Sequence, residues 1–148
     1  MSDDPIQSPI RAGWVTPLLH VASVERAIAF WERLGFELVE TDRCEPLGFA
    51  RLHCEGGAIA LLRAEAEHPP FDPRAQAVLF ALYTPDLPAL RERLLAEGVE
   101  VAEIRHPPYM PSGEMRVVDP DGYGVFVNHW GPAEHAAWLE RIGKAPGD

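Results

Sequence analysis

The side chains best suited to acid–base or metal chemistry are six histidines: His20, His53, His68, His106, His129 and His135. An imidazole changes charge near neutral pH and is a common metal ligand, so each could act at a site. The six form no HxH or HxxxH pair and no HExxH helix, which are the spacings that bring two rings to one metal ion. The pattern therefore favours scattered surface or edge histidines over a histidine-based metal centre.

Other sequence signatures of catalysis are missing as well. The chain has no GxSxG nucleophile motif, no phosphate-binding P-loop and no GxGxxG after a strand. The two cysteines, Cys44 and Cys54, have neither CxxC nor zinc-type spacing, which is typical of reduced thiols in an intracellular protein. The acidic, proline-containing start predicts no targeting peptide, and no apolar run approaches the roughly 20 residues that span a bilayer. We therefore expect a cytoplasmic protein.

The overall charge narrows the choice of partners. The chain has 23 acidic and 13 basic side chains, for a formal charge of −10. Binding to nucleic-acid phosphates requires a positive surface, so nucleic acid is excluded as the main partner. An acidic surface is compatible with a cationic ligand, although it also serves solubility.

The first half of the chain predicts a strand, a helix and three further strands. Residues 14–22 form the first strand, and Ser23 can cap the helix that follows. Gly35 suits the left-handed end of this helix. One face of the helix is apolar at helical spacing, through Val24, Ala27, Ile28, Trp31 and Leu34. The remaining strands are 36–40, 47–54 and 57–63, with a hairpin turn at Glu55-Gly56-Gly57.

The second half repeats this order after a proline-containing connection at 64–76. A strand at 77–83 precedes a helix that Thr84 or Asp86 can cap and that Gly98 ends. Three strands follow, at 99–104, 114–119 and 124–130, and the last two are joined by the turn Asp119-Pro120-Asp121-Gly122. A short helix is expected from Pro132.

The two halves match at fixed offsets. Ser23 and Asp86 differ by 63 positions, as do Gly35 and Gly98, and Gly57 and Gly122 differ by 65. One strand-helix-strand unit would leave a sheet face uncovered, so two copies are expected to combine. We predict a single α+β domain over 1–148, divided into module one (14–63), the connection (64–76), module two (77–130) and a tail (131–148).

Three stretches of the sequence carry a family resemblance. They are HVASVERAIAFWERLGF from His20, LPALRERLLAEGVEV from Leu87 and EMRVVDPDGYGVFV from Glu114. Together they resemble the vicinal oxygen chelate superfamily, which includes glyoxalase I, extradiol dioxygenases and bleomycin-resistance proteins. The resemblance covers about residues 14–130 and implies two paired βαβββ modules that form a curled mixed sheet around one cleft. It also implies a homodimer, with residues 9–14 packing or exchanging across its interface.

The resemblance further implies four metal-ligand positions, on the first and last strand of each module. Enzymes of the group place His, Gln or Glu there. Counting from the helix starts and the last turn with the two offsets gives Thr16, Leu61, Leu79 and Phe126. A threonine hydroxyl is a poor lone ligand, and the other three side chains have no donor atom. We therefore expect no metal and no other cofactor.

A cleft without metal ligands would be apolar, with aromatic rings that suit planar or cationic ligands. Loop 105–113 is expected to cover one end of it. The candidate ligand-binding residues are Trp14, Thr16, His20, Phe49, Leu61, Tyr83, Tyr109, Met110, Met115, Phe126 and Trp130.

Two functions are consistent with this cleft. One is a non-catalytic binder that sequesters a planar drug or natural product, cationic or neutral, as the bleomycin-resistance branch does. Its partners would be the ligand and a second copy of the chain, without nucleic acid or membrane. The alternative is a lyase, isomerase or oxygenase. Such an enzyme would use a divalent metal at a site placed elsewhere, or His20 as acid or base.

Overall fold

The computed structural model describes residues 15–65 and 69–144. Seven strands and three α-helices lie in these ranges, in the order β1 (Leu18–Val21), α1 (Val24–Arg33), β2 (Glu37–Thr41), β3 (Phe49–Cys54), β4 (Gly57–Arg63), β5 (Phe80–Thr84), α2 (Leu87–Ala96), β6 (Glu114–Val118), β7 (Gly124–His129) and α3 (Pro132–Ile142). A short 3₁₀ turn, Pro73–Ala75, precedes β5. The chain divides into two compact units between residues 72 and 73, inside the predicted connection.

Unit 1 contains a four-stranded sheet in the order β1-β4-β3-β2. Strand β1 runs parallel to β4, and the other neighbours are antiparallel. This unit has the predicted βαβββ order. Together with the second sheet and the three helices, it confirms the α+β class with mixed strand directions.

Helix α1 covers one face of this sheet, and its ends are as predicted. The backbone N–H of Arg26 donates to the Ser23 hydroxyl at 3.2 Å, and Gly35 adopts the left-handed conformation after the helix, with φ +100°. The ring of Trp31 is fully buried and meets those of Phe30 and Phe36 edge to face, at 5.5 and 5.2 Å. The amphipathic spacing read from the sequence is therefore the packing face of the helix.

Unit 2 has a three-stranded sheet in the order β5-β7-β6, with β5 parallel to β7. The backbone N–H of Ala89 donates to the Asp86 carboxylate at 3.1 Å, which confirms Asp86 as the cap of α2. Gly98 follows this helix in the left-handed conformation, with φ +79°. Helix α3 begins at Pro132, as expected from the sequence.

The strand predicted at 99–104 is wrong. This segment contacts β6 only through two isolated bridges, Val101 with Val117 and Arg105 with Glu114. Three residues lie between these bridges on one side and two on the other, so the register slips and no continuous ladder forms. Pro107 and Pro108 then follow, and proline has no N–H to extend the pairing.

Both first strands are shorter than predicted, and neither Thr16 nor Leu79 is a strand residue. Strand β1 begins at Leu18, because Pro17 just before it cannot donate a ladder hydrogen bond. Strand β5 begins at Phe80, after Leu79. The side chain of Gln76 accepts from the backbone N–H of Gly124 at 2.9 Å and donates to its carbonyl at 3.0 Å. The Gln76 side chain thereby makes the hydrogen bonds to Gly124 that a further residue at the start of β5 would otherwise make. Among the described residues, no helix is long and apolar enough to cross a membrane.

Candidate functional site

The sheet of unit 1 has one face covered by α1 and one open face. Residues paired across neighbouring strands point to the same side, and successive residues of a strand alternate. Leu19, Leu61 and Ala50 form one row, and each is at most 2% exposed. The adjacent row begins at Leu18, which is 61% exposed. The open face of unit 1 therefore carries Leu18, His20, Phe49, Arg51, His53 and Ala60.

Unit 2 is divided in the same way. Met115 and Val127 are paired, and both are buried on the face covered by α2. His129 lies two positions after Val127 on β7 and therefore points to the same side of the sheet. Its ring nitrogen Nδ1 accepts a hydrogen bond from the backbone N–H of Leu87 at the start of α2, at 3.4 Å. The residues that alternate with these along each strand point to the open face of unit 2. They are Ala81, Tyr83, Glu114, Arg116, Gly124, Phe126 and Asn128.

Backbone hydrogen bonds show that the last strands of the two units are 66 positions apart, and the predicted offset of 65 is wrong. The N–H of Arg63 donates to Gly48, as that of His129 does to Gly113. The turn in unit 2 is one residue longer, because Cys54 pairs with Gly57 whereas the N–H of Asp119 reaches the carbonyl of Tyr123.

This extra residue changes the partner of Phe126. The corresponding residue in unit 1 is Ala60, which points to the side of the open face although its own methyl group is fully buried. Leu61 corresponds to Val127 on the side covered by the helix. Leu61 is fully buried under α1, so the assignment of Leu61 to the ligand-binding floor is corrected. Met115, which is 1% exposed on the α2 face, is corrected for the same reason.

The corrected set of family positions is Thr16, Ala60, Leu79 and Phe126, and it does not fit a divalent ion. Three of the side chains have no donor atom, and the hydroxyl of Thr16 accepts from the Arg51 guanidinium at 3.4 Å. No cluster of three His, Cys, Asp or Glu side chains that could hold a metal occurs within residues 15–65 and 69–144.

The polar groups of the open face of unit 1 are engaged with each other. Besides Thr16, the guanidinium of Arg51 contacts the carboxylate of Glu40 at 3.4 Å and lies over the ring of Phe49, 5.9 Å from its centroid. His20 is half-buried and lies in the same row as Phe49, with Leu62 between them. The positive charge of Arg51 is therefore already engaged by side chains of its own unit.

The open face of unit 2 has a different polar arrangement, which sequence reasoning missed. Asn128 is 3% exposed, and its side-chain oxygen has no hydrogen-bond partner in the part of the chain that the structure describes. The hydroxyl of Tyr109 donates to the Glu114 carboxylate at 2.8 Å, and this hydrogen bond raises the pKa of Tyr109. The sequence did contain a sign that Asn128 shares a face with Phe126, because the two residues are two positions apart on one strand and side chains alternate along a strand.

Arg116 lies on the same face, above Gly124. A Cβ at Gly124 would be 2.8 Å from a guanidinium nitrogen, so a larger residue there would displace the guanidinium from this position. A positive group therefore lies near Gly124, on one side of Phe126. The carboxylate of Glu114 lies on the other side of Phe126, because Glu114 is paired with Asn128.

A series of aromatic rings extends from the end of this face onto α3. Tyr83 and Trp130 are 5.8 Å apart, and Trp130 and Trp138 are 6.3 Å apart, both edge to face. The indole N–H of Trp130 donates to the Nδ1 of His135 at 3.3 Å. Trp138 was not predicted, because the tail gave no sign of where its helix would pack.

The remaining predicted residues have different placements. Tyr109 is 72% exposed and Met110 is half-buried, both in loop 105–113. Trp14 lies outside the described residues. The cleft itself, and the covering of one end by this loop, stay predictions.

The turn between β6 and β7 contains a buried carboxylate. Asp119 is 4% exposed, and its Oδ1 accepts the backbone N–H groups of Asp121 and Tyr123 at 2.9 and 2.7 Å. Burial, together with the charge of the nearby Asp121, raises the pKa of Asp119 to about 6. This titratable group belongs to the turn and not to the open face.

Comparison with known proteins agrees with this geometry. The family model described as Glyoxalase/Bleomycin resistance protein/Dioxygenase superfamily matches residues 11–127. No curated protein matches the chain.

Three solved structures have the same fold at low identity. A bleomycin-binding protein complexed with bleomycin has a TM-score of 0.61 and 22% identity, covering 80% of this chain and 99% of its own. TnmS3, an antibiotic binding protein from Streptomyces sp. CB03234, has a TM-score of 0.61 and 22% identity, covering 80% and 96%. TioX from Micromonospora sp. ML1 has a TM-score of 0.64 and 18% identity, covering 80% and 100%.

Proposed function

Because the chain belongs to the glyoxalase/bleomycin resistance protein/dioxygenase superfamily, we propose that it is a metal-free binding protein that sequesters a small-molecule drug or natural product. The observation that carries this proposal is the donor chemistry of the four corrected family positions, Thr16, Ala60, Leu79 and Phe126. A divalent ion requires imidazole, carboxylate or amide donors, and this set offers one hydroxyl that is already hydrogen-bonded.

The open faces support a planar ligand. Tyr83 is 60% exposed on one face and is held by Trp130, so its ring is available without a large loss of side-chain freedom. Phe126 is half-buried on the same face. The net charge of −10 favours cationic molecules among planar ones. Two of the similar structures bear the names of a bleomycin-binding and an antibiotic binding protein, which supports a drug or natural product as the ligand.

A homodimer in the cytoplasm is part of the same proposal. The family resemblance implies the dimer, and the two cysteines in the described residues are free thiols, as expected for a reducing compartment. Sedimentation equilibrium at micromolar concentration is expected to give twice the chain mass of 16.4 kDa. A single species of monomer mass at all concentrations would contradict the dimer without affecting ligand binding.

The test of the binder proposal is ligand-dependent stability. Metal-free protein is heated with and without bleomycin, and binding raises the free energy of unfolding by about 2.7 kcal/mol at a free ligand concentration 100 times the Kd. Tyr83→Ala is expected to weaken binding about tenfold, because the exposed ring is lost. Leu95→Ala, which changes an exposed side chain on α2, is the matched control and should bind as the wild type does.

Two outcomes separate the alternatives. Recovery of unaltered bleomycin after incubation agrees with sequestration, whereas a product formed in proportion to protein and abolished by His20→Ala would favour the acid–base enzyme. Protein purified from nickel- or iron-supplemented medium is expected to hold far less than one metal per chain. Near-stoichiometric metal whose removal abolishes function would contradict the proposal.

A further inference from the structure

The amide oxygen of Asn128 is a buried acceptor that no donor of the described residues reaches. Buried polar side chains almost always have a hydrogen-bond partner, because an unpaired one loses its hydrogen bonds to water and gains none within the protein. Asn128 is 3% exposed, and its Oδ1 has no partner among the residues that the structure describes. It lies on the central strand β7 of unit 2, on the face that α2 leaves open. A donor that binds from outside the chain would satisfy this atom.

The neighbours of Asn128 define what kind of donor this is. Its two paired residues are Tyr83 on β5 and Glu114 on β6. One carboxylate oxygen of Glu114 takes the hydroxyl of Tyr109 at 2.8 Å, and a carboxylate has roughly four acceptor sites in all. Glu114 therefore keeps capacity for further donors beside Asn128. The row offers two acceptors, one of them anionic, flanked by the exposed ring of Tyr83.

The adjacent row sets the orientation of a charged ligand. The guanidinium of Arg116 lies above Gly124, beyond Phe126, and it repels a cation placed there. The row of Asn128 and Glu114 attracts one instead. We propose that Asn128 and Glu114 form an acceptor pair that binds the N–H groups of a planar ligand carrying an amino or amidinium group. This inference rests on the proposed binding function and names its ligand class and two residues that determine specificity.

The experiment uses two planar cationic dyes of the same ring system. Proflavine carries two exocyclic amino groups with N–H donors, and in acridine orange both exocyclic nitrogens are dimethylated and have none. The protonated ring nitrogen, with its N–H, is common to both dyes. Fluorescence titration of the wild-type protein is expected to give at least tenfold tighter binding of proflavine. In Asn128→Leu, the preference should fall to within about threefold. Loss of affinity for proflavine should account for the fall, with binding of acridine orange nearly unchanged.

Matched variants separate the acceptor from charge and folding. Glu114→Gln keeps an acceptor for Tyr109 and is expected to weaken the binding of proflavine about tenfold. Glu92→Gln, on the exposed side of α2, removes the same charge and should have little effect on binding. The thermal midpoint of Asn128→Leu should equal or exceed that of the wild type, because an unpaired buried oxygen is replaced by an apolar group of similar size. Asn128→Ala removes the same acceptor without added bulk and replaces it if Asn128→Leu does not fold.

The outcomes distinguish this inference from the proposed function. A proflavine preference that persists in both Asn128 variants overturns the acceptor pair, while the binder proposal stands. Wild-type protein that is stabilised by bleomycin but binds neither dye also overturns the pair. Wild-type protein that responds to neither the dyes nor bleomycin overturns both.

Discussion

The two units share a chain order but differ in how much of it serves packing. Helix α1 buries five side chains against a four-stranded sheet, whereas α2 buries only Leu87 and Leu94 against a three-stranded one. Where unit 1 has its second strand, unit 2 has a segment held by two isolated bridges. More apolar burial means more stabilisation, so unit 1 is expected to contribute most of the stability.

The open faces differ in the opposite sense. In unit 1, Arg51 on the open face is engaged by Glu40, Thr16 and the ring of Phe49. In unit 2, a buried acceptor at Asn128 lies beside a carboxylate that can still accept donors. The two units therefore share a backbone plan, while the polar groups that can still accept donors lie in the less extensively packed unit 2.

The largest expected effect tests which residues of the two units correspond. Leu61→Glu places a carboxylate beneath α1, and burying an unpaired charge is expected to cost more than about 4 kcal/mol or to prevent folding. Phe126→Glu puts the same group on an open face, where we expect a loss under about 2 kcal/mol. Urea unfolding followed by far-ultraviolet circular dichroism measures both. Equal losses would restore the 65-residue offset that pairs Leu61 with Phe126.

An intermediate effect distinguishes the two hairpin turns. The folded-state pKa of Asp119, about 6, exceeds its unfolded value of about 3.9, so the folded protein holds this proton more tightly. Its contribution to stability is therefore present below about pH 4, falls as the pH rises to about 6 and is absent above. Asp119→Asn keeps an oxygen for the two backbone donors and removes this dependence.

The expected result is a difference between the two proteins that changes with pH. Relative to the wild type, Asp119→Asn should gain about 1–2 kcal/mol between pH 4 and pH 7, allowing for solvent screening. Urea midpoints at several pH values give this difference directly. Glu55→Gln, in the exposed turn of unit 1, is the control, and a parallel gain there would remove Asp119 as the cause.

The smallest expected effect compares the two helix caps. Ser23→Ala and Asp86→Ala each remove one side-chain hydrogen bond at a helix start, which costs about 1 kcal/mol. The loss should be slightly larger for Asp86, since its carboxylate also interacts with the helix dipole and Glu25 remains in the first turn of α1. Chemical denaturation measures the loss in free energy of unfolding for each variant. A loss below about 0.3 kcal/mol for both would contradict capping as their role.

The features predicted correctly from sequence are those with a local cause. Ser23, Asp86, Gly35 and Gly98 act on the few residues around them, so their roles follow from residue type and position. The pairing of the last strands could not be read in this way. One additional residue in a turn exchanges the two sides of a strand, and residue types do not tell whether the turn or the strand contains it.

The open faces show the same limit. Alternation alone could place Asn128 on the side of Phe126. That no donor within 15–65 and 69–144 reaches its amide oxygen depends on the position of every residue around it. Leu61 and Met115 were assigned to the ligand because they are apolar, and apolar residues suit a core equally well. The failed strand at 99–104 depended on a register slip against β6, a contact distant in sequence.

The side chain of Gln76 has a consequence for self-association. A strand end with free N–H and C=O groups is a template on which another chain can pair and begin to aggregate. At Gly124 both groups are taken by the amide of Gln76, at 2.9 and 3.0 Å, where β5 does not reach. A single glutamine thus occupies the backbone groups of β7 at Gly124, so that another strand cannot pair with them there.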